Sequence, residues 1–371
     1  MPQMNNPRNY PAGAIDDALR MKNDSRKVSF RYELLDKHDI KKGTLDGVQA
    51  AKVSYGEFCT IKRTATFTLD EYARGEIDFL SERIRPWFVL HMPDGGTVEW
   101  PLGIFLLESP GRAVDGGVSR REITAYDETI ILEEDAFEER QYFAAGTSYV
   151  GAVGKMLTLS GITKVNIADA GATLRTEREF AVGMKVREAV NALLGEINYN
   201  SVRADENGYI CSEPYVEPEL RQVTQVYTSK RGSVIRPKFS ESLDLAGRAN
   251  VFVRVASDLG IAAKYVNADP LSRISTVSRG RRIVDYGELD NIASPEALES
   301  RTRRAAAESM SAYGKLTFNT ALMPTHGSAE TLYIDIPELF DTPAKFSETA
   351  WEMDLKFDGE MSHEARRVVG L

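Results

Sequence analysis

Residues 61–69 read IKRTATFTL, and their alternation decides the fold class. Ile61, Arg63, Ala65, Phe67 and Leu69 fall on one side of an extended chain, while Lys62, Thr64, Thr66 and Thr68 fall on the other. A period of two with a threonine-bearing face predicts an antiparallel strand, packed on one side and wetted on the other. The same period begins at Val28 and continues downstream. In IRPWFVLHMPDGGTVEWPLGIFLLE (residues 84–108) two extended segments flank Pro93-Asp94-Gly95-Gly96, a tight reversal that glycine's tolerance of positive φ permits. In the second arm Val98, Trp100, Leu102, Ile104 and Leu106 alternate with Glu99, Pro101, Gly103, Phe105 and Leu107, so its upper half is apolar on both faces. Asp115-Gly116-Gly117 marks another reversal, and REITAYDETIILEED (residues 121–135) supplies the next strand, closing a small meander or barrel near Asp127.

Beyond Phe143 the period changes to that of a helix. Tyr149, Val153, Met156 and Leu157 follow a cap at Thr147 or Ser148, with Gly161 as the stop. Val182, Val186, Ala189, Val190, Leu193, Leu194 and Ile197 form a clearer stripe, predicting a helix from about Lys185 to Ile197 that packs on the first. A hairpin at Asp205-Glu206-Asn207-Gly208 returns the chain to β structure. In the last third one helix starts at Ser294-Pro295-Glu296 and stops at Gly314, flanked by VFVRVA, LTFNTALM, LYIDIP and WEMDLKFDGEM; in the last of these Trp351, Met353, Leu355 and Phe357 oppose Glu352, Asp354, Lys356 and Asp358. Residues 1–25 read as an arm with a short helix at AIDDALRMK whose order would need a partner. The class predicted is α+β, mainly β: an arm (1–25), a first β domain (26–128), a middle domain with two helices (129–220) and a second β domain with one helix (221–371).

The 371 residues are 42% hydrophobic and 27% charged, which is globular composition. No apolar run is long enough for a membrane span and no export signal opens the chain. Cys59 and Cys211 form no CxxC and read as buried thiols. A net charge of -9 argues against nucleic-acid binding as the main activity. The basic SRGRRIVDY (278–286) lacks interleaved aromatics, so its arginines are expected to pair with local acids or a partner subunit.

Catalytic signatures fail in checkable ways. GAVGKM (151–156) has Tyr149 and Met156 where a phosphate loop needs glycine and Ser or Thr. HEARR at His363 has Arg367 in place of a second histidine, and no G-x-S-x-G or G-x-G-x-x-G occurs. His38, His91, His326 and His363 are scattered. Glu122, Asp127, Glu128, Glu133, Glu134 and Asp135, with Glu138 and Glu139 behind, are the remaining candidates for acid/base chemistry. In a strand Glu122 and Asp127 face opposite ways, nothing marks a second carboxylate as partner, and Asp127 reads as a strand-end hydrogen-bond acceptor. No catalytic, cofactor-binding or metal-ligating residue is assigned, and no cofactor is expected.

In order and spacing, VSFRYELLD, GEFCTIKRTATFTLDE, GTVEWPLGIFLLESP, VSRREITAYDETIIL, GTSYVGAVGKMLTLSGI, VREAVNALLGEINYNSVRADENGYI and SPEALESRTRRAAAESM resemble the hub, or tail-tip, proteins of bacteriophage tails and related contractile injection machines. The resemblance covers the chain from about residue 26 and is weakest between Pro218 and Ile274. It implies two tail-tube-like antiparallel β-barrels with a small helical α/β domain between them, in a non-enzymatic homotrimer whose six barrel units would dock a three-fold tip on a six-fold tube. It further implies the tail tube protein, the distal tail protein or other baseplate proteins and the tape measure protein as partners. DNA would pass without specific binding through a channel expected to be more acidic than basic. The implied location is the virion tail tip or baseplate, after assembly in the host cytoplasm. Some hubs of this type carry lytic activity on added C-terminal domains, for which a chain ending at Leu371 is expected to have no room. The alternatives are a distal tail ring protein, which usually lacks the two central helices, and a cell-wall hydrolase using carboxylates between Asp127 and Glu139.

Overall fold

The computed structural model describes residues 4–22, 26–72, 76–169, 171–230, 233–243, 247–311 and 314–368. Strand Arg63–Asp70 alternates as its sequence demands: Ala65, Phe67 and Leu69 are buried and Thr66 is exposed. Lys62, expected on the wet face, is buried and reaches Glu57 at 2.8 Å. Along the chain of pairings Ile235–Leu243, Gly314–Ala321, Glu360–Arg367, Ala344–Asp354, Val48–Gly56, Arg63–Asp70, Val118–Tyr126, Phe105–Asp115, Arg83–His91, Lys27–Leu35 and Lys41–Thr44, every neighbour is antiparallel. Gln225–Thr228, Thr331–Asp335 and Thr97–Pro101 attach at its sides, making a fourteen-stranded sheet. The chain is therefore α+β and mainly β.

The first and last β regions meet inside this sheet. Ala350, Trp351, Glu352, Met353 and Asp354 pair with Gly56, Tyr55, Ser54, Val53 and Lys52. Trp351 stacks on Tyr55 at 6.0 Å, and Arg63 lies over Trp351. One hydrophobic core runs behind the seam, with Val53, Phe67, Phe88 and Trp100 from one region and Phe318, Phe346, Trp351 and Met361 from the other. Helix Ala12–Leu19 adds Ile15 and Leu19 to it, so this N-terminal element packs on the chain's own core.

Three sequence expectations fail for local reasons. The arm expected to run from Val98 to Leu107 is two strands, because Gly103 turns the chain at φ 137° against the Phe105 ring, where a Cβ would sit 2.7 Å from a ring carbon. Phe357 is exposed, since strand Ala344–Asp354 ends before it. Cys59 is exposed; Cys211 is buried, its thiol pushed up to about 11 chiefly by that burial.

Helices Tyr149–Leu159 and Val186–Glu196 pack on each other around Leu157, Val190, Leu193 and Leu194. Ser148 Oγ accepts from Gly151 N at 3.2 Å as the predicted cap, while Val182 lies outside the second helix and is exposed. In the last third VFVRVA does not join the large sheet. Val251–Ala256 lies between Ile261–Val266 and Val284–Glu288, and helix Pro295–Ser311 covers them through Phe252, Ala306 and Met310. Residues 247–311 thus form an inserted α/β unit between Ile235–Leu243 and Gly314–Ala321. No helix among the described residues is long and apolar enough to cross a membrane.

Candidate functional site

Two buried charge clusters and the seam are the places where chemistry or assembly could reside. Asp127 closes the turn after strand Val118–Tyr126. Its carboxylate accepts from Arg63 N at 3.0 Å, Thr129 N at 2.9 Å and the Thr129 hydroxyl, just ahead of helix Thr129–Glu134. Burial pushes its pKa up, against the pull of those donors. Glu128, the next residue, turns inward and meets Asp39, which a turn after strand Lys27–Leu35 delivers at φ 62°. Arg83 Nη1 bridges the two carboxyls at 2.6 Å and 2.5 Å, and Lys164 Nζ holds Asp39 at 2.5 Å. Burial, and then the like charge of Asp39, pushes Glu128 up to about 8.

A protonated carboxyl beside an ionised one is an acid/base arrangement. Here both side chains are sealed, at 6% and 5% exposure, with Gly208 close enough to Glu128 that a Cβ there would meet the carboxyl at 3.4 Å. The cluster ties the first β region, through Asp39 and Arg83, to Lys164 of the middle region. The other acids of the stretch do not converge on it. Asp135 accepts from Ser160 Oγ at 2.6 Å, Glu133 reaches Arg187 at 3.5 Å, and Glu122, Glu134, Glu138 and Glu139 are exposed.

The second cluster gathers two histidines that the sequence leaves scattered. His363 lies on strand Glu360–Arg367, not on the helix a zinc-protease motif requires. Its Nδ1 is 2.6 Å from Glu348 Oε1, and His326 Nδ1 is 2.7 Å from Glu348 Oε2. The Nε2 atoms meet hydroxyls, Tyr227 at 2.5 Å for His326 and Thr320 at 2.8 Å for His363. All three residues are at most 2% exposed, and Phe318 stacks on His363 at 4.6 Å. Burial pushes Glu348 up, but His326 and His363 more than offset it and hold the carboxyl at about 2. Burial pulls His363 down while Glu348 pulls it up, and the net direction is down. An ionised carboxylate between two Nδ1–H donors accounts for the direction at Glu348, and burial sets the direction at His363.

Among the described residues this is the set of three His, Cys, Asp or Glu donors close enough to hold a metal, all within 4.8 Å. The N–O contacts are hydrogen-bond lengths and every ring nitrogen has a polar partner, so the geometry is that of a satisfied core network. His91 bonds Ser29 Oγ at 2.8 Å, and His38 is exposed. GAVGKM lies within helix Tyr149–Leu159, where Lys155 sits over Phe143.

A β-bulge builds the second cluster. The register of Ala344–Asp354 against Glu360–Arg367 shifts between Glu348 and Ala350. Below the shift Phe346 and Glu348 face the core; above it Trp351 and Met353 do. Glu352 and Asp354 then face out, and their row continues across the seam: Asn319, Ser362, Glu352, Ser54 and Thr64 are successive cross-strand partners. Asp354, Lys52, Thr66 and Thr124 form the next row. Lys52–Glu352 at 2.9 Å, Lys315–Glu364 at 2.6 Å and Arg236–Glu360 at 3.4 Å pair charges on this face. The wet side of the sheet is therefore a polar surface shared by both β regions.

No family model matches the chain, and no curated protein matches it. Solved structures do. The tail protein of Neisseria meningitidis MC58 matches with TM-score 0.65 at 10% identity, over 91% of this chain and 96% of that one. The prophage MuSo2 tail protein of Shewanella oneidensis gives TM-score 0.66 at 9% identity, over 91% and 98%. A prophage tail protein of Listeria monocytogenes EGD-e gives TM-score 0.54 at 11% identity, over 90% and 94%. At such identities the likeness is one of fold. Along nearly its whole length the chain has the fold of these phage tail proteins, the group its sequence resembles.

Proposed function

We propose that this chain is a structural subunit of a phage-type tail: a hub that closes as a homotrimer at the distal end of the tail tube and lines the DNA channel. The observation that carries the proposal is the unbroken antiparallel sheet across the Val48–Gly56 and Ala344–Asp354 seam. Joining two β regions edge to edge gives one chain two units of wall, and among the described residues the chain of pairings is left with a free edge at Ile235–Leu243 and another at Lys41–Thr44. Free edges invite pairing with another chain, and head-to-tail contacts that close into a ring satisfy them. Three copies would present six wall units to a six-fold tube.

The polar face suits a conduit. Lys52, Lys315 and Arg236 are matched by carboxylates, so they release few counterions to a passing phosphate backbone and hold it weakly. In this proposal the tail tube, distal tail or baseplate proteins and the tape measure protein are neighbours, the virion is the location, and the buried clusters are scaffold without turnover. Purified protein is expected not to degrade cell-wall polymer. Turnover that Asp127→Asn or Glu133→Gln abolished would overturn the non-enzymatic assignment. For the ring, mass measurement of the protein alone and with assembled tube should show three copies, and a monomer under both conditions would refute it.

A further inference from the structure

Helix Pro295–Ser311 buries Leu298, Thr302, Ala306 and Met310, and turns Arg301, Arg304, Glu308 and Ser311 away from that core at the spacing of one helical stripe. The stripe walls two adjoining grooves of about 250 Å³ and 180 Å³, which share Arg304 and Glu308. Arg221, Tyr215, Phe58 and Arg366 face it in the larger groove, Arg254 in the smaller.

The charges in these grooves do not balance. Arg254 pairs with Asp285 at 2.9 Å, Arg304 with Glu308 at 2.8 Å and Lys62 with Glu57 at 2.8 Å. Arg301 has no hydrogen bond or ion pair among the described residues. Arg366 meets the Phe58 ring at 4.3 Å, and Arg221 donates to the Val216 carbonyl at 2.8 Å; neither hydrogen-bonds a carboxylate among the described residues. The Tyr215 hydroxyl, buried at the same place, has no hydrogen-bond partner. Burial is the first cause that holds Arg301 and Arg366 below the usual arginine range; Arg304 adds to it at Arg301, while Glu308 at both and Glu364 at Arg366 pull the other way. Three half-buried guanidiniums with no carboxylate hydrogen bond among the described residues, beside a hydroxyl without an acceptor, are only partly compensated for desolvation by Glu308 and Glu364, and an entering oxyanion would complete the pairing. Guanidinium forks fit carboxylates with two parallel hydrogen bonds.

Grooves of this size hold one or two side chains, not a nucleic-acid strand. The chain itself carries -9 net charge, and its segment 134–139 exposes Glu134, Glu138 and Glu139 with no side-chain partner among the described residues. No residue of that segment lines either groove. We infer that the arginine grooves receive the carboxylates of segment 134–139 from a second copy of this chain. This is a head-to-tail contact that closes a ring and does not stop at a dimer. It rests on the ring proposed above and names one of its contacts.

The test is a concentration series by mass photometry on full-length protein, alone and with assembled tube. Four chains are compared: wild type, Arg301→Glu with Arg366→Glu, the reversal Glu134→Arg with Glu138→Arg and Glu139→Arg, and a chain carrying both sets. Each one-sided reversal should weaken assembly about tenfold or more, and the chain with both sets should recover it. Recovery also shows that the reversed chains fold. Wild-type rings with unaffected one-sided variants would overturn the contact and leave the ring standing. Loss of assembly without recovery would overturn the pairing of these two segments, and a wild type that never assembles would overturn ring and contact together. Tight binding of short single-stranded DNA, lost in Arg301→Gln with Arg366→Gln, would reassign the grooves to phosphate.

Discussion

Glu128 and Glu348 both carry buried carboxyls, their side chains 6% and 1% exposed, yet their environments drive them in opposite directions. Glu128 shares Arg83 with a second carboxyl, Asp39, and is pushed up to about 8. Glu348 shares nothing with another acid; two imidazole nitrogens aim at its two oxygens and hold it at about 2. Burial supplies the same upward push in both places, so the neighbours decide the outcome. The first cluster ties two regions of the chain together, whereas the second lies within one region, behind the strand that makes the seam. A like-charged pair suits a junction whose strength varies with pH, and a fully donated carboxylate suits a core that must keep a register.

The contrast can be broken most severely at Glu348. Glu348→Ala leaves two buried imidazoles facing a cavity, and unfolding in urea should show a loss of about 3–5 kcal/mol. An unchanged midpoint would mean that the network contributes nothing to the folded state.

Next comes the pH dependence, where the two clusters should give slopes of opposite sign. Folded Glu128 keeps its proton to about pH 8, while an unfolded glutamate loses it near 4.5. Stability therefore falls as pH rises through that window, by no more than roughly 4–5 kcal/mol at 1.36 kcal/mol per pH unit. Glu348 works in reverse: its contribution is present above pH 4.5 and is lost as pH falls toward about 2. In melting curves across pH, Glu128→Gln should flatten the limb between pH 5 and 8 and leave the acid limb in place. A wild-type melting temperature that climbs from pH 5 to 8 would contradict the assignment at Asp39 and Glu128.

A smaller effect sharpens the view of the histidine cluster. Tyr227→Phe removes the hydroxyl at His326 Nε2 and should cost about 1–3 kcal/mol, the range for one buried polar atom left without a partner. The smallest change belongs to the wet face, where Lys52→Met breaks the exposed pair with Glu352 and should alter stability by less than about 1 kcal/mol. A large loss there would show that the seam depends on its ion pairs and not on Trp351, Tyr55 and the core behind them.

Much of this fold is written in local periodicity. The alternation at 61–69 and the stripe from Val186 to Leu194 are legible because one face of each element meets a core. Three things were not legible, each because a single backbone event or a distant partner intervenes. Gly103 breaks a run whose side chains alternate without interruption. The strand Val251–Ala256 reads like any other of the last third, and nothing in its residues says that it pairs only with Ile261–Val266 and Val284–Glu288.

The bulge after Glu348 is the most instructive case. Counting alternate residues back from Met353 and Trp351 places Glu348 on the wet face with Glu352, and the shift turns it to the core. One signal was available: Met361, His363 and Ala365 alternate with Ser362 and Glu364, which sets His363 on an apolar face where it must find a partner. Asp39 gave no such signal, since an aspartate beside a turn ordinarily faces water.

The central claim concerns what the shared polar face encloses. A cryo-electron reconstruction of the assembled tail end tests it directly. The account predicts three copies of this chain around an axial channel, with the row Asn319, Ser362, Glu352, Ser54 and Thr64 on the channel wall and Trp351 and Tyr55 behind it. A five- or six-fold ring, a position off the axis, or that row turned outward would contradict it.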